Sequence, residues 1–573
     1  MKRKYWLTLF VGILMAVSIL AGCTNSSGGD AGQEGKAEAP ATSETPKDTP
    51  AAEDPAPDLS PISYTINTAD NKLIWDTPIT KAITEKTGVT LEYDITVGDQ
   101  FQKWDLWLAA GDYPDIVVLD TNYITKYKEA GAIIPLNDLI DQYGPNIKEK
   151  FGQYYNLLKD ENGEIYGLYA AKKSTEASAD SMANFVVQMA VLEEAGYPEI
   201  KTLDQLYEVI KAYYEKHPTI DGKETVAFGA AAGSYFMNIQ FNNPIIWASG
   251  LPDHGNFRIE EDGQVRYNPV TEDAKRYYQF QNKLFTEGLF DKEAFSLADL
   301  SNKMSQGRML AAFAPNWMIG DAEKTLRAAR MPERAYAHIP LFFEEGTPDF
   351  TNNTTPTFAG SYNWAISKHA KNPERIIQFI DYLFSDEAQV LTNWGIEGVH
   401  YDVVDGKRTL KPEVIEKRAT DVDYDYKEGF KSIGTGGPPW FSVGNGSLLA
   451  DGDYATPLTR DVVKAGYDDY TKNFLAKYGK EVWADFLPPI EVVPGYLWQL
   501  PPPEETKVEA QKIDDNWRKL LPKVVMARNN EEFEAAWNEM VKAIQDSGLE
   551  KMEAAYTQVW ADFIKKYNET LNQ

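Results

Sequence analysis

Apolar Ile62, Tyr64 and Ile66 alternate with polar Ser63, Thr65 and Asn67, the period-two pattern of a half-buried strand. Thr77-Pro78 places a capping residue before a proline at the first helical position, and the pattern predicts a helix running to Gly88. Leu91, Tyr93 and Ile95 then alternate with Glu92 and Asp94 as a second strand. A short helix from Phe101 to Ala110 carries Trp104, Trp107 and Leu108 and stops at Gly111. Ile116 to Leu119 is apolar at every position, as expected of a parallel strand buried on both faces. Strand, helix, strand, helix, strand predicts a doubly wound sheet with right-handed crossovers. Ligands of such sheets sit outside the carboxyl ends of the strands. The loops Ala69 to Asp76 and Asp120 to Tyr123 are therefore candidate ligand loops.

The middle of the chain repeats this style with longer helices. Thr202-Leu203-Asp204-Gln205 has the form of a capping box, with Leu206, Tyr207, Ile210 and Tyr214 on one face. Val226 to Phe228 is a short strand, Ala274 to Glu287 an amphipathic helix, and Arg308 to Ala314 an apolar strand opening into Pro315-Asn316-Trp317. Trp364 to Ile366 is a further strand. Asn372-Pro373 starts a helix with Ile376, Ile377, Phe379 and Ile380 inward, and Ser385 caps the next. Residues 507–573 read as helical throughout, with Trp517, Phe533, Trp537, Val541, Tyr556, Trp560 and Phe563 at core-like spacing.

The N-terminus changes the setting. Lys2, Arg3 and Lys4 precede an uncharged, mostly apolar run from Tyr5 to Leu20, closed by Ala21-Gly22-Cys23. The run is short for a membrane span and has the three regions of an export signal. Because it ends on the chain's one cysteine, it resembles a bacterial lipoprotein signal, which implies lipid attachment at Cys23 and cleavage after Gly22. Thr24 to Ser60 is rich in Ala, Pro, Gly, Ser, Thr and acid, with Leu59 its single large aliphatic, and reads as a flexible spacer. No cysteine remains beyond Cys23, so a disulfide-stapled scaffold is excluded. Loss of the three basic residues of the signal takes the formal charge from −29 to −32, which disfavours nucleic acid and anionic lipid headgroups as partners. About 510 residues follow the spacer, enough for two or more cores.

Several stretches, in order, resemble the family 1 extracellular solute-binding proteins, the lipoprotein receptors of carbohydrate ABC importers. Leu108 to Ile116 is similar to that family's "ASGDYPDI" stretch, and Gly131 to Leu136 to the segment that follows it. Ile165 to Leu168 resembles the "IYGLP" turn, and Lys201 to Asp204 the "PKTLDEF" helix start. Asn372-Pro373-Glu374 and Ser385 to Ala388 match a usual pair of helix starts, and Gly395 to Tyr401 resembles the "GIEGKHY" signature of the long oligosaccharide-binding branch. The resemblance implies an α/β, two-lobed periplasmic-binding-protein-like fold whose hinge-connected lobes are each discontinuous. The expected divisions are a signal over 1–22, the anchor and spacer over 23–60, an N-terminal lobe over 61–175 plus 358–395, and a C-terminal lobe over 176–357 plus 396–573. Crossings between lobes are expected near 170–185 and 357–364. The implied partners are an oligosaccharide, the permease subunits of an importer and, through the lipid, the outer face of a cell membrane, with the protein acting as a monomer.

One departure concerns calcium. Relatives of the alginate-binding type carry an Asp- and Asn-rich loop after the "TLDEF" helix, whereas His217 to Val226 here retains only Asp221 and Glu224 as carboxylates. That is too few for the six to eight oxygens calcium takes. Asp160 to Glu164 is acidic but has Ile165 where such a loop needs glycine. No cofactor is expected.

Sugar recognition makes its own demands. Aromatic platforms take the C–H faces of pyranose rings, and planar polar side chains take the hydroxyls in pairs. Aromatic and polar residues next to strand ends fit that need: Trp75, Asp120, Asn122, Trp247, Asn316, Trp317, Trp440 and, in the "GIEG" turn, Glu397. Trp104, Trp107, Trp517, Trp537 and Trp560 lie on helical faces and are expected in cores. No His-Glu-x-x-His, Gly-x-Ser-x-Gly, P-loop or Cys-x-x-Cys motif occurs, and the five histidines show no metal-ligand spacing. The chain is therefore expected not to be an enzyme. A surface glycoside hydrolase or polysaccharide lyase, whose paired carboxylates need only be close in space, stays as an alternative. So does a ligand-binding partner of a membrane sensor.

Overall fold

The computed structural model describes residues 58–171, 183–233, 236–358, 363–433 and 441–572. Eight strands build two open sheets: β1 (Ile62–Thr68), β2 (Val89–Ile95), β3 (Ile116–Leu119), β4 (Ala183–Gln188), β5 (Val226–Gly229), β6 (Met309–Pro315), β7 (Tyr336–Ile339) and β8 (Asn363–Ile366). The first sheet has the order β8-β3-β1-β2. In it β1 runs parallel to β2 and β3, and β8 returns antiparallel to β3 with Asn363 opposite Leu119. The second has the order β7-β4-β6-β5, with β4 antiparallel to both neighbours and β6 parallel to β5.

Local chemistry accounts for the first sheet's elements. Helix α1 (Pro78–Thr87) is capped by Thr77, whose hydroxyl accepts from the Thr80 amide at 3.2 Å while the Thr80 hydroxyl accepts from the Thr77 amide at 3.0 Å. The reciprocal box uses threonine where glutamate is usual. Gly88 ends the helix at φ 70°, and a Cβ there would lie 2.5 Å from the Leu59 carbonyl oxygen, so only glycine fits. Helix α2 (Gln100–Ala110) is capped by Asp99 and buries Trp104 and Trp107. Strand β3 is buried on both faces, as its unbroken apolar run requires. Ile116 and Val118 join Tyr64, Ile66, Trp364 and Ile366 on one side, while Val117 and Leu119 meet Trp104, Trp107 and Tyr127 on the other.

The second lobe has the largest core, in which Val186, Val187, Ala311, Phe313 and Tyr336 pack with Tyr277, Tyr278, Leu520 and Met540. The predicted Thr202–Gln205 capping box is present at the start of the helix Leu203–Lys216. The tail forms three helices, Lys507–Val525, Asn530–Asp546 and Leu549–Leu571. Trp517 is fully buried and donates its indole N–H to the Tyr278 hydroxyl at 3.2 Å.

Two sequence expectations change. Asp120 to Tyr123 is not a loop: Asp120 caps helix α3 (Thr121–Glu129), and Asn122 and Tyr123 lie in its first turn. Asn316 and Trp317, which follow β6 as expected, open helix α4 (Asn316–Ala328). In addition, Tyr401, Leu410, Val414, Tyr424, Phe430 and Phe441 are buried in the first sheet's core, together with Ile79, Phe379 and Phe384. Residues 396–433 and Phe441, expected with the C-terminal lobe, thus pack with the N-terminal one, because their apolar side chains meet the helices that cover β1 and β2.

Among the described residues, several features join the lobes. Ala170–Ala171 pairs antiparallel with Thr357–Phe358 where the chain leaves the first sheet and returns to it. The last helix rests on the 3-10 segment Gly152–Leu158, where Lys566 donates to the Leu157 carbonyl at 3.3 Å and to that of Lys159, and Tyr567 stacks on Tyr154 at 18°. On the other side, Lys324 of α4 reaches Asp425 of the helix Tyr424–Glu428 at 3.8 Å.

Candidate functional site

The carboxyl edges of the two sheets carry the polar and aromatic groups of interest. On the first sheet, Asp70 follows β1 and is held from both oxygens: Oδ1 accepts from the Lys72 amide at 2.9 Å and Oδ2 from the Tyr426 hydroxyl at 2.8 Å. The Lys72 ammonium is 3.0 Å from Asp423, and this hydrogen bond raises its pKa. Asp120 follows β3; its Oδ1 accepts from the Tyr123 amide at 2.9 Å, and burial lifts its carboxyl above the usual carboxylate range. Asn122, one residue into α3, is exposed, and Tyr123 packs edge-on against Trp104 at 4.9 Å.

On the second sheet, β6 ends at Pro315, opposite Ala183 of β4. Helix α4 then turns Met318, Ile319, Ala322 and Leu326 inward and leaves Trp317 56% exposed. Asn316 precedes it, half-buried. Gln240, on the helix Phe236–Phe241, is 1% exposed and donates to the Phe313 carbonyl at 2.8 Å, while its Oε1 has no partner among the described residues. Asn184 is fully buried opposite Ala314. Sequence reasoning passed over both, since neither adjoins a glycine-rich or aromatic loop that would have marked it.

Other expected site residues are placed differently. Trp75 donates its indole N–H to the Thr84 hydroxyl at 3.0 Å and packs tilted against Tyr93 and Phe379, within the first core's margin. Trp247 donates to the Ala183 carbonyl at 3.0 Å and stands edge-on to Phe313 at 5.2 Å. Both indoles are committed to packing within a lobe. Glu397 is exposed in a tight turn built on His400, whose Nδ1 accepts from the Ile396 amide at 2.9 Å and whose Nε2 lies 3.1 Å from Glu428. This accounts for the "GIEG" signature as a fold element. Cys23 and Trp440 lie outside the described residues.

The two acidic stretches weighed for calcium are occupied by protein groups. Thr219–Ile220 and Lys223–Glu224 form a hairpin turned through Asp221 and Gly222, both at positive φ, and Glu224 pairs with Lys292 at 3.1 Å. Asp160 accepts from the Asn162 and Glu164 amides and from Lys128 at 2.6 Å. Among the described residues no cluster of three or more His, Cys, Asp or Glu could hold a metal ion, and no helix is long and apolar enough to cross a membrane.

Two open α/β sheets whose carboxyl edges bear these groups form the framework of a two-lobed binding protein. The family model of the bacterial extracellular solute-binding proteins matches residues 79–396, more than half of the chain. The chain belongs to that family. It is a solute-binding protein, not an enzyme. Lipoprotein LipO of Bacillus subtilis is 25% identical over 447 residues, covering 74% of this chain and 78% of that protein. The fructooligosaccharide ABC transporter substrate-binding protein FusA of Streptococcus pneumoniae is 24% identical over 56% of this chain and 60% of its own length. Its crystal structure with kestose superposes with a TM-score of 0.61 at 18% identity, covering 88% of this chain and 100% of that one. The polygalacturonan/rhamnogalacturonan-binding protein YtcQ of Bacillus subtilis is 24% identical over 55% of this chain and 61% of its own. In sequence, the chain thus spans about three fifths of FusA and YtcQ. The shared fold is that of two-lobed solute-binding proteins.

Proposed function

We propose that the protein captures an oligosaccharide between its lobes and delivers it to an ABC importer, held at the outer face of a cell membrane by lipid on Cys23. The observation that carries this reading is Trp317, 56% exposed at the carboxyl edge of the second sheet, with Asp120 and Asn122 at the carboxyl edge of the first. An exposed indole beside half-buried Asn316 is the platform a pyranose face needs, and amide and carboxylate groups take its hydroxyls in pairs. The names of FusA and YtcQ, both oligosaccharide or polysaccharide binders, support the same ligand class. Asp120, Asn122, Asn316 and Trp317 are the proposed contacts.

The lobes divide, in this reading, into 61–171 with 363 to about 456, and 183–358 with about 467–573. Ala170–Ala171 and Thr357–Phe358 flank the hinge. The ligand drives closure only as far as it binds the closed form more tightly than the open one. A thermal-shift screen against neutral and acidic oligosaccharides, followed by calorimetric titration, tests the proposal. At least one sugar is expected to raise the melting temperature. Trp317→Ala is expected to weaken that sugar's dissociation constant about ten- to thirtyfold, the loss of one stacking face. A panel in which no oligosaccharide binds would sink the reading.

A further inference from the structure

We infer that the far end of the helix Leu549–Leu571 is a second hinge point, a bearing on the first lobe that confines the lobes to turning about the line joining it to the strand pair Ala170–Ala171 and Thr357–Phe358. The inference rests on the hinged, two-lobe reading above. Over most of its length the helix is rigid with the second lobe. Leu549 and Met552 lie in that lobe's core, the Glu553 carboxylate accepts from the Tyr267 amide at 2.8 Å, and the Thr557 hydroxyl accepts from the Val265 amide at 2.9 Å. Beyond them Trp560, Phe563 and Tyr567 stand three and four residues apart and so share one face. Their rings form a row: Trp560 stands edge-on to His254 at 5.1 Å, Phe563 lies 5.6 Å from Trp560, and Tyr567 lies 6.3 Å from Phe563. A Cβ on Gly495 would come within 2.6 Å of the Phe563 ring, so this face fits closely against the second lobe. The last ring of the row, Tyr567, crosses to the first lobe and stacks on Tyr154 at 6.3 Å.

The ground beneath that end is firm. Tyr154 belongs to the 3-10 segment Gly152–Leu158, which follows the helix Pro145–Phe151, and Ile147, Phe151, Tyr155 and Leu158 all pack with the first core. Carbonyls at the end of such a segment have no partner within it and favour a cation. Lys566 supplies one, donating to the carbonyl of Leu157 at 3.3 Å and to that of Lys159 at 2.5 Å. Burial draws the pKa of its ammonium down, while Asp160 and Glu161 pull it up. Hydrogen bonds from an ammonium are about twice as strong as neutral ones, and both of these go to main-chain oxygens. Lys324, by contrast, meets Asp425 at 3.8 Å through two side chains, a contact that moving lobes can make and break. A joint made of the strand pair alone lets the lobes twist as well as bend, and a second, fixed contact removes the twist. Lys566 holds the helix end in place while the stacked tyrosines turn on one another.

Pulsed electron spin resonance between nitroxides at Glu85→Cys and Glu208→Cys tests this on the sugar-free chain carrying Cys23→Ser, in which these are the only thiols. Both positions are exposed, Glu85 on α1 of the first lobe and Glu208 on the helix Leu203–Lys216 of the second. Lys566→Met is expected to broaden the distance distribution about twofold, the loss of one of two constraints on the rotation, and to move the melting temperature by no more than about 3 °C. Lys566→Arg keeps a cationic donor and is expected to stay near the wild-type width. Ending the chain after Ile564 removes Lys566 and Tyr567 together and is expected to broaden the distribution at least as much as Lys566→Met. Wild-type widths in both Lys566→Met and the shortened chain overturn the inference. So does equal broadening in Lys566→Arg and Lys566→Met, which would show that the charged bonds are not what holds the bearing. The widths are read without sugar, so either result leaves oligosaccharide capture standing, and a sugar panel with no binder strikes that reading without altering the widths.

Discussion

Lys324→Met should loosen the contact between the lobes without disturbing either core. Lys324 projects from α4, whose inward residues Met318, Ile319, Ala322 and Leu326 belong to the second lobe, while Asp425 sits on a helix anchored by Tyr424 in the first. At 3.8 Å the bare attraction is about 4 kcal/mol for an effective dielectric of about 20. Both side chains are about one-fifth exposed, so desolvation and the entropy of fixing two side chains cancel most of it, leaving about 1 kcal/mol. That is about a fivefold shift toward the open form. Methionine keeps the length and apolar stem of lysine while removing the charge. Asp425→Asn is the poorer perturbation alone, since Asp425 also holds Arg418, but it completes a double-mutant cycle. The assay is small-angle scattering of the ligand-free protein at low and high salt, paired with calorimetry of the identified sugar. Lys324→Met should enlarge the radius of gyration at low salt and weaken binding by up to about fivefold. High salt should erase much of the difference. Identical scattering and affinity for mutant and wild type at low salt would refute the idea that this pair favours closure.

Three further outcomes are expected. Trp517→Ala should cost about 3–5 kcal/mol of stability, since the side chain is fully buried and its N–H bonds Tyr278, yet leave sugar affinity unchanged in the folded fraction; Trp317→Ala should show the reverse balance in thermal melts and titrations. Burial depresses the His254 pKa to about 4, so between pH 4 and 6.5 the unfolded chain binds the extra proton and this residue's contribution to stability falls as pH falls. Neighbouring Asp253, raised by burial to about 6, works in the opposite sense, because there the folded form holds the proton. His254→Gln, which keeps an acceptor for the Leu497 amide, should therefore close on the wild type by about 2 kcal/mol between pH 7 and pH 5 in denaturant titrations; a constant gap would mean the imidazole does not titrate as a buried base. Cys23→Ser should release the protein from membranes and abolish fatty-acid labelling of cells, and retention on the membrane would rule out the lipid anchor.

What could be read from the sequence was mostly local. The Thr77 and Thr202 caps, the two-faced strand β3 and the inward stripe of Pro373–Phe384 follow from residues within a few positions of one another. Asp120 looked like a loop residue for a sound reason, since groups favoured in turns are also those favoured at helix starts. Lobe membership of 396–433 was not legible, because it depends on Tyr401 and Phe430 meeting Ile79 and Phe379 far away in the chain. The tryptophans divide for the same reason. Trp247 is distinguished from Trp317 by a carbonyl at Ala183, more than sixty residues upstream, and no spacing rule carries that information.

The helix Leu549–Leu571 has a practical corollary. It is rooted in the second lobe through Leu549 and Met552, yet its far end touches the first through Lys566 and Tyr567. Any relative rotation of the lobes must change the environment of Tyr154 and Tyr567. Because the chain has one cysteine, a Cys23→Ser background gives a protein in which a new thiol at either position is the sole target for a dye. An environment-sensitive fluorophore there would turn the protein into an optical gauge of its own ligand, read out without touching the cleft.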